Sequence, residues 1–163
     1  MNFEALINFE APGGRCDVTP VFADPAAFAD LVARTEAALE GHGVDLVAGI
    51  DALGFILGAA LAQKMGLGFL PIRKAGKLPV SSDREDFTDY SGQAKSLELA
   101  HGVVPTYARI VVVDDWVETG AQARAAIALL ERQGGQVVAV AAMKMDKPGK
   151  ELGLGDRYCV GLL

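Results

Sequence analysis

An α/β fold with a central, mostly parallel sheet and helices on both faces is what this sequence predicts, and three observations predict it. From Asp24 onward, helix and strand signals alternate along the chain. The strand segments VDLVAGI, RIVVV and QVVAVAAM are almost continuously apolar, as strands covered on both faces are. The composition agrees: 51% of residues are hydrophobic, only 7% are aromatic, and 19 glycines serve the many tight turns.

The elements follow in order. Asp24-Pro25 starts a helix, with Asp as the cap and Pro in the first helical position. Phe28, Leu31, Val32 and Leu39 recur at helical spacing, and Gly41 and Gly43 end the run. Val44–Ile50 reads as a buried strand, Gly54–Met65 as a helix stopped by Gly66, and Leu67–Arg73 as a second strand. Lys74–Lys95 is polar and lacks apolar periodicity, so it is expected to form a long functional loop, mobile without ligand. Ser96–Ala100 and Arg109–Val113 read as strands, Gly120–Gln133 as a helix ending at Gly134-Gly135, and Gln136–Met143 as a last strand. No repeat, low-complexity tract or linker interrupts residues 1–163, so one domain is expected.

Several function classes are disfavoured at once. A net charge of −6 argues against a nucleic-acid partner. A phosphate can still be held, but only locally, by backbone N–H groups and a few cations. No apolar run reaches the ~18 residues of a membrane helix, and the first residues carry acids where a signal peptide carries positive charge. Cys16 and Cys159 stand in no metal spacing and read as reduced thiols of a cytoplasmic protein. His42 and His101 sit beside glycines and read as surface residues.

The segment IVVVDDWVETGAQAR carries the chemistry. In a parallel sheet, ligands bind at the C-terminal ends of the strands. Here a strand runs into Asp114 and Asp115, then a short loop, then a helix. Two adjacent carboxylates repel each other and lose solvation, so they are expected to resist full burial and to serve a ligand bearing hydroxyls or a metal. The following helix N-terminus favours an anion; Thr119 adds a hydroxyl, and Gly120 allows close approach of the backbone. Trp116, the only tryptophan, is a candidate platform for stacking on a base.

The Asp-Asp…Thr-Gly segment resembles the phosphoribosyl-pyrophosphate motif of type I phosphoribosyltransferases. Three more blocks resemble adenine phosphoribosyltransferase in order and spacing: Asp17-Val18-Thr19-Pro20, Gly49-Ile50-Asp51-Ala52-Leu53-Gly54-Phe55, and Ile72-Arg73-Lys74-Ala75-Gly76-Lys77-Leu78-Pro79. The resemblance implies that family's fold, with a small N-terminal hood, and a Mg²⁺-dependent transfer of phosphoribose from phosphoribosyl pyrophosphate to a purine base, in a homodimer. It implies that Asp114 and Asp115 take the ribose hydroxyls, with Mg²⁺ held through the substrate and no direct protein ligand. Val117, Glu118, Thr119, Gly120, Ala121 and Gln122 would wrap the 5′-phosphate. Arg73, Lys77 and the backbone of Asp51, Ala52 and Leu53 would meet the pyrophosphate, and Asp89 would face the purine from a closing loop.

The sequence departs from the family's pattern at named places. Leu53 replaces an Arg, Glu118, Ala121 and Gln122 alter the phosphate loop, Arg15 stands where a Phe stacks on the base, and Trp116 replaces a Leu. Arg15 offers only donors, which would suit an oxo-purine or an acidic base and leaves the base open. Loss of the Arg at Leu53 keeps a second reading in play, a non-catalytic regulator that binds phosphoribosyl pyrophosphate or a nucleotide.

Overall fold

The structure is a computed structural model and describes residues 3–12 and 16–163. A seven-stranded sheet runs through it in the order β3-β4-β2-β1-β5-β6-β7. The strands are β1 (Leu46–Ile50), β2 (Gly68–Lys74), β3 (Ser82–Thr88), β4 (Ala94–Ala100), β5 (Arg109–Val117), β6 (Gln136–Met145) and β7 (Tyr158–Gly161). Five of them, β2-β1-β5-β6-β7, are parallel, and the β3–β4 hairpin joins β2 antiparallel.

The apolar runs have a direct cause. Ile110 and Val112 of β5 enter a core shared with α4 (Ala121–Arg132), while Val111 and Val113 enter the opposite core beneath α2 (Pro25–Ala38) and α3 (Leu53–Met65). Both faces are buried, so the period-2 alternation vanishes from the sequence. The helix boundaries follow their caps. Asp24 Oδ1 accepts the N–H groups of Ala26 (2.9 Å) and Ala27 (2.8 Å), and α3 stops at Gly66 in a left-handed conformation, φ 68°. Ahead of α2, a 3₁₀ turn (Phe3–Leu6) and the short α1 (Thr19–Ala23) cover the second core with Phe3, Val18 and Val21.

Three sequence expectations need correction. Lys74–Lys95 is no structureless loop, since it contains β3 and the start of β4. β3 is an edge strand of half-exposed polar residues, Ser82 to Thr88 with Phe87 alone apolar, so it shows no hydrophobic alternation to read. The hairpin's base is fixed on α4: Arg132 pairs with Glu85 and donates to the Arg84 carbonyl (3.1 Å), and Gln133 Nε2 donates to Asp83 Oδ2 (2.8 Å) and the Ala100 carbonyl (2.9 Å). Second, β5 continues through Val117, so the paired acids lie within the strand and not beyond it. Third, the chain does not end its sheet at Gln136–Met143: β6 runs on to Met145 and β7 adds a seventh strand, while the short α1 precedes α2.

Candidate active site

The C-terminal ends of β1, β5 and β6 open into a cleft of about 410 Å³, walled on its far side by the hairpin tip. Asp114 and Asp115 alternate across β5 and so meet different surroundings. Asp114 is only 4% exposed and Asp115 is half-buried, yet both line the cleft. Full burial of one acid was not expected. It is possible because both oxygens are served: Asp115 N–H donates to Oδ1 and Gln122 Nε2 donates to Oδ2, each at 2.9 Å. Burial, and then the neighbouring Asp115 charge, push the Asp114 carboxyl well above the ordinary aspartate value. Gln122, which departs from the family's pattern, thus supports the acid pair.

The loop after β5 turns at Gly120, φ 74°, and α4 starts at Ala121. Thr119 Oγ1 accepts the Ala121 N–H at 3.3 Å. Gly120 has no side chain to occupy the first-turn N–H groups, so the positive end of α4 faces the cleft beside Glu118 and Thr119. Trp116 lines the cleft, pinned on two sides: its Nε1–H donates to Asp146 Oδ1 (2.9 Å), and Lys144 Nζ, its register partner on β6, lies 4.6 Å from the ring centroid. The ring is therefore a held cleft wall, half-exposed.

At the end of β1, the Asp51–Ala52 peptide is cis, and Ala52 and Leu53 line the cleft. Asp51, 9% exposed, gathers cations: Arg73 Nε at 3.5 Å and Lys77 Nζ at 3.8 Å, with the Lys74 N–H at 3.4 Å. Arg73 and Lys77 are held on Asp51 at the cleft's edge, while Lys74 lines the cleft itself. Asp89 also lines it, but its oxygens are engaged by its own hairpin tip. Ser91 N–H (2.8 Å), Ser91 Oγ (2.6 Å) and Gln93 N–H (3.0 Å) donate to Oδ1, and Lys95 pairs with Oδ2. Lys95, first, and then these donors hold the Asp89 carboxyl far below its ordinary value. Arg15 lies outside the described residues.

Sequence reasoning missed Lys95, Asp146 and Glu98. Only Glu98 left a signal, an acid in the middle of an apolar strand (LEL). It is buried, and its carboxylate accepts three loop N–H groups, from Gly76 (3.0 Å), Lys77 (2.6 Å) and Leu78 (2.7 Å). Burial alone would raise its pKa, but these bonds outweigh burial and lower it. The loop that presents Lys77 is thus moored to β4. Glu98→Gln cannot serve all three donors, because its NH₂ replaces one acceptor. The variant should lose about 2–3 kcal/mol in urea unfolding at unchanged m value, and an unmoved midpoint would refute the mooring.

A sequence profile described as the phosphoribosyl transferase domain matches residues 23–154. The chain is 45% identical over 162 residues to a protein of Kineococcus radiotolerans named adenine phosphoribosyltransferase, covering 98% of this chain and 87% of that one. Among solved structures, adenine phosphoribosyltransferase from Thermoanaerobacter pseudethanolicus superposes with a TM-score of 0.89 at 33% identity, covering 98% of this chain and 96% of that one. The Saccharomyces cerevisiae enzyme, solved with an imino-altritol bisphosphate and adenine, gives a TM-score of 0.84 at 25% identity, covering 99% and 96%.

Proposed function

The chain belongs to the phosphoribosyl transferase family, and from that premise we propose that it is an adenine phosphoribosyltransferase, joining adenine to the ribose of phosphoribosyl pyrophosphate with release of pyrophosphate. One observation carries the reading: an acid pair at the end of β5 leads through Thr119-Gly120 into the N-terminus of α4, inside the cleft that also holds Asp51–Leu53. Adenine is the base because the relatives carry its name.

In this reading the 5′-phosphate sits on the N–H groups at the start of α4, between Val117 and Gln122, where the helix dipole favours an anion. Asp114 and Asp115 orient the ribose through its hydroxyls. The pyrophosphate lies toward Asp51–Leu53, where Arg73 and Lys77 are at hand to leave Asp51 and meet it, beside Lys74 in the cleft wall. As the bond to pyrophosphate breaks, negative charge grows on the leaving group, so cations placed there stabilise the transition state more than the ground state. Trp116 is the platform for the base, and Asp89 faces it from the hairpin tip. The cleft's carboxylates are hard donors that suit Mg²⁺ reached through ribose and phosphate oxygens. Bound there, Mg²⁺ would neutralise the pyrophosphate beside an acidic wall. The chain acts as one catalytic unit, in the cytoplasm, where Cys16 and Cys159 stay free thiols. It pairs as a homodimer, for which the exposed Ile56 on α3 offers apolar surface.

Leu53 favours the regulatory reading, since it puts an apolar side chain where the family's pattern has a cation. One assay separates the two. The protein is incubated with phosphoribosyl pyrophosphate, Mg²⁺ and, in turn, adenine, hypoxanthine, guanine, xanthine or orotate, and pyrophosphate release is followed. Adenine should exceed every other base at least tenfold in kcat/KM. Tight binding of phosphoribosyl pyrophosphate without turnover would establish the regulator instead.

A further inference from the structure

We propose that Arg124 is a positioning residue of the phosphate loop, a latch that turns the loop's carbonyls away from the anion and fixes the loop to a second one, residues 149–154. The proposal rests on the reading of Val117–Gln122 as the 5′-phosphate site. Arg124 stands one turn into α4, its N–H bonded to the Gly120 carbonyl at 2.9 Å. Its Nη1 donates to two carbonyls at once, Thr119 O at 3.2 Å and Leu152 O. Leu152 and Leu154 are buried in the core with Ala123 and Ile127, so the far end of the latch is anchored in packed side chains.

The two loops touch closely. A Cβ added to Gly120 would collide with the Leu152 carbonyl, and one added to Gly153 would lie 3.3 Å from Arg124 Cδ. The guanidinium thus lies beside Gly120, where only glycine leaves room, and in close contact with Gly153. A phosphate-binding loop must present N–H groups, because a carbonyl oxygen aimed at an anion repels it. Holding Thr119 O on a guanidinium commits that peptide's oxygen to the far side and adds positive charge within the loop's reach. That charge matters more here than in a neutral loop, because Glu118 precedes Thr119. One nitrogen of the flat guanidinium reaches both carbonyls while the group lies against Gly153; a lysine ammonium, strongly hydrated on a flexible stem, is less well pre-organised for that place.

The test compares two partial ligands by calorimetry, because they occupy different loops. In Arg124→Ala, ribose 5-phosphate should bind at least tenfold more weakly, while Mg²⁺-pyrophosphate stays within twofold of wild type. In steady state, KM for phosphoribosyl pyrophosphate should rise by more than kcat falls. Arg124→Lys should recover only part of the loss, and it decides the same comparison if Arg124→Ala does not fold. Unchanged binding of ribose 5-phosphate, or equal loss of both ligands, would overturn the latch. Wild-type protein that binds pyrophosphate but not ribose 5-phosphate would instead overturn the phosphate-loop reading on which it stands.

Discussion

Asp114→Asn is expected to melt higher than wild type at pH 8 and to turn over at least ~100-fold more slowly, the order lost when one preorganised polar group is removed from a reacting centre. Asn fits without rearranging the backbone. Its Oδ1 keeps the Asp115 N–H, and its NH₂ can donate to Gln122 once that amide turns over, so both bonds seen at Asp114 survive. What disappears is a buried charge beside Asp115. Unfolded, Asp114 has an ordinary aspartate pKa of ~3.9; folded, it holds its proton more tightly. Below that ordinary value both states are protonated and the site costs no charge burial. As pH rises, the unfolded chain releases the proton first, so stability is lost up to the raised folded value and is constant beyond it. The variant does not titrate there. Its advantage in Tm should therefore be small near pH 4, widen with pH and then level off. Calorimetry of both proteins without ligand or metal checks this, and a gap independent of pH would contradict it.

Gly54→Ala should cost about 3 kcal/mol or more and impair turnover with it. Gly54 opens α3 directly against β5: an added Cβ would lie 2.6 Å from the Val113 carbonyl oxygen, 3.2 Å from Asp114 Cα and 3.3 Å from Asp114 Oδ1. These are mostly backbone atoms of a central strand, which cannot swing aside as a side chain could. The contact also sets the spacing between Asp51–Leu53 and the acid pair, so relief of the clash would separate the two halves of the cleft. The sign is informative. On helix propensity alone, Ala in place of Gly would stabilise by about 1 kcal/mol. Urea unfolding that shows such a gain would mean the close approach of α3 to β5 is absent.

Helices α2, α3 and α4, the parallel strands β1, β2, β5 and β6, and the acid pair were legible because each rests on a local signal. Asp24-Pro25 caps α2, Gly66 ends α3, and the valines of β5 have no polar face. Strand β3 was not legible, because the face it turns to α4 is built from Asp83 and Glu85 with Phe87 alone apolar, so no hydrophobic alternation marks it; its place is set by Arg132 and Gln133, which lie far along the chain on and just after α4. The burial of Asp114 was misjudged for a similar reason. Its tolerance depends on Gln122, a residue that by itself suggests nothing. Glu98 and Lys95 matter through partners some twenty and six residues away, 76–78 and Asp89. No spacing rule reaches such pairs.

The strand order also bears on how the chain is made. β1 lies between β2 and β5, with Leu46 beside Ile110, so one side of an early strand must wait for residues synthesised much later. Contacts so distant in sequence slow folding, since the loop must close before they contribute. At ~5–20 residues per second, the ribosome leaves β1 with a bare apolar edge for seconds. Such an edge invites pairing with another nascent chain. The arrangement that brings Asp51 and Asp114 to one cleft therefore also leaves a sheet edge open to aggregation during synthesis.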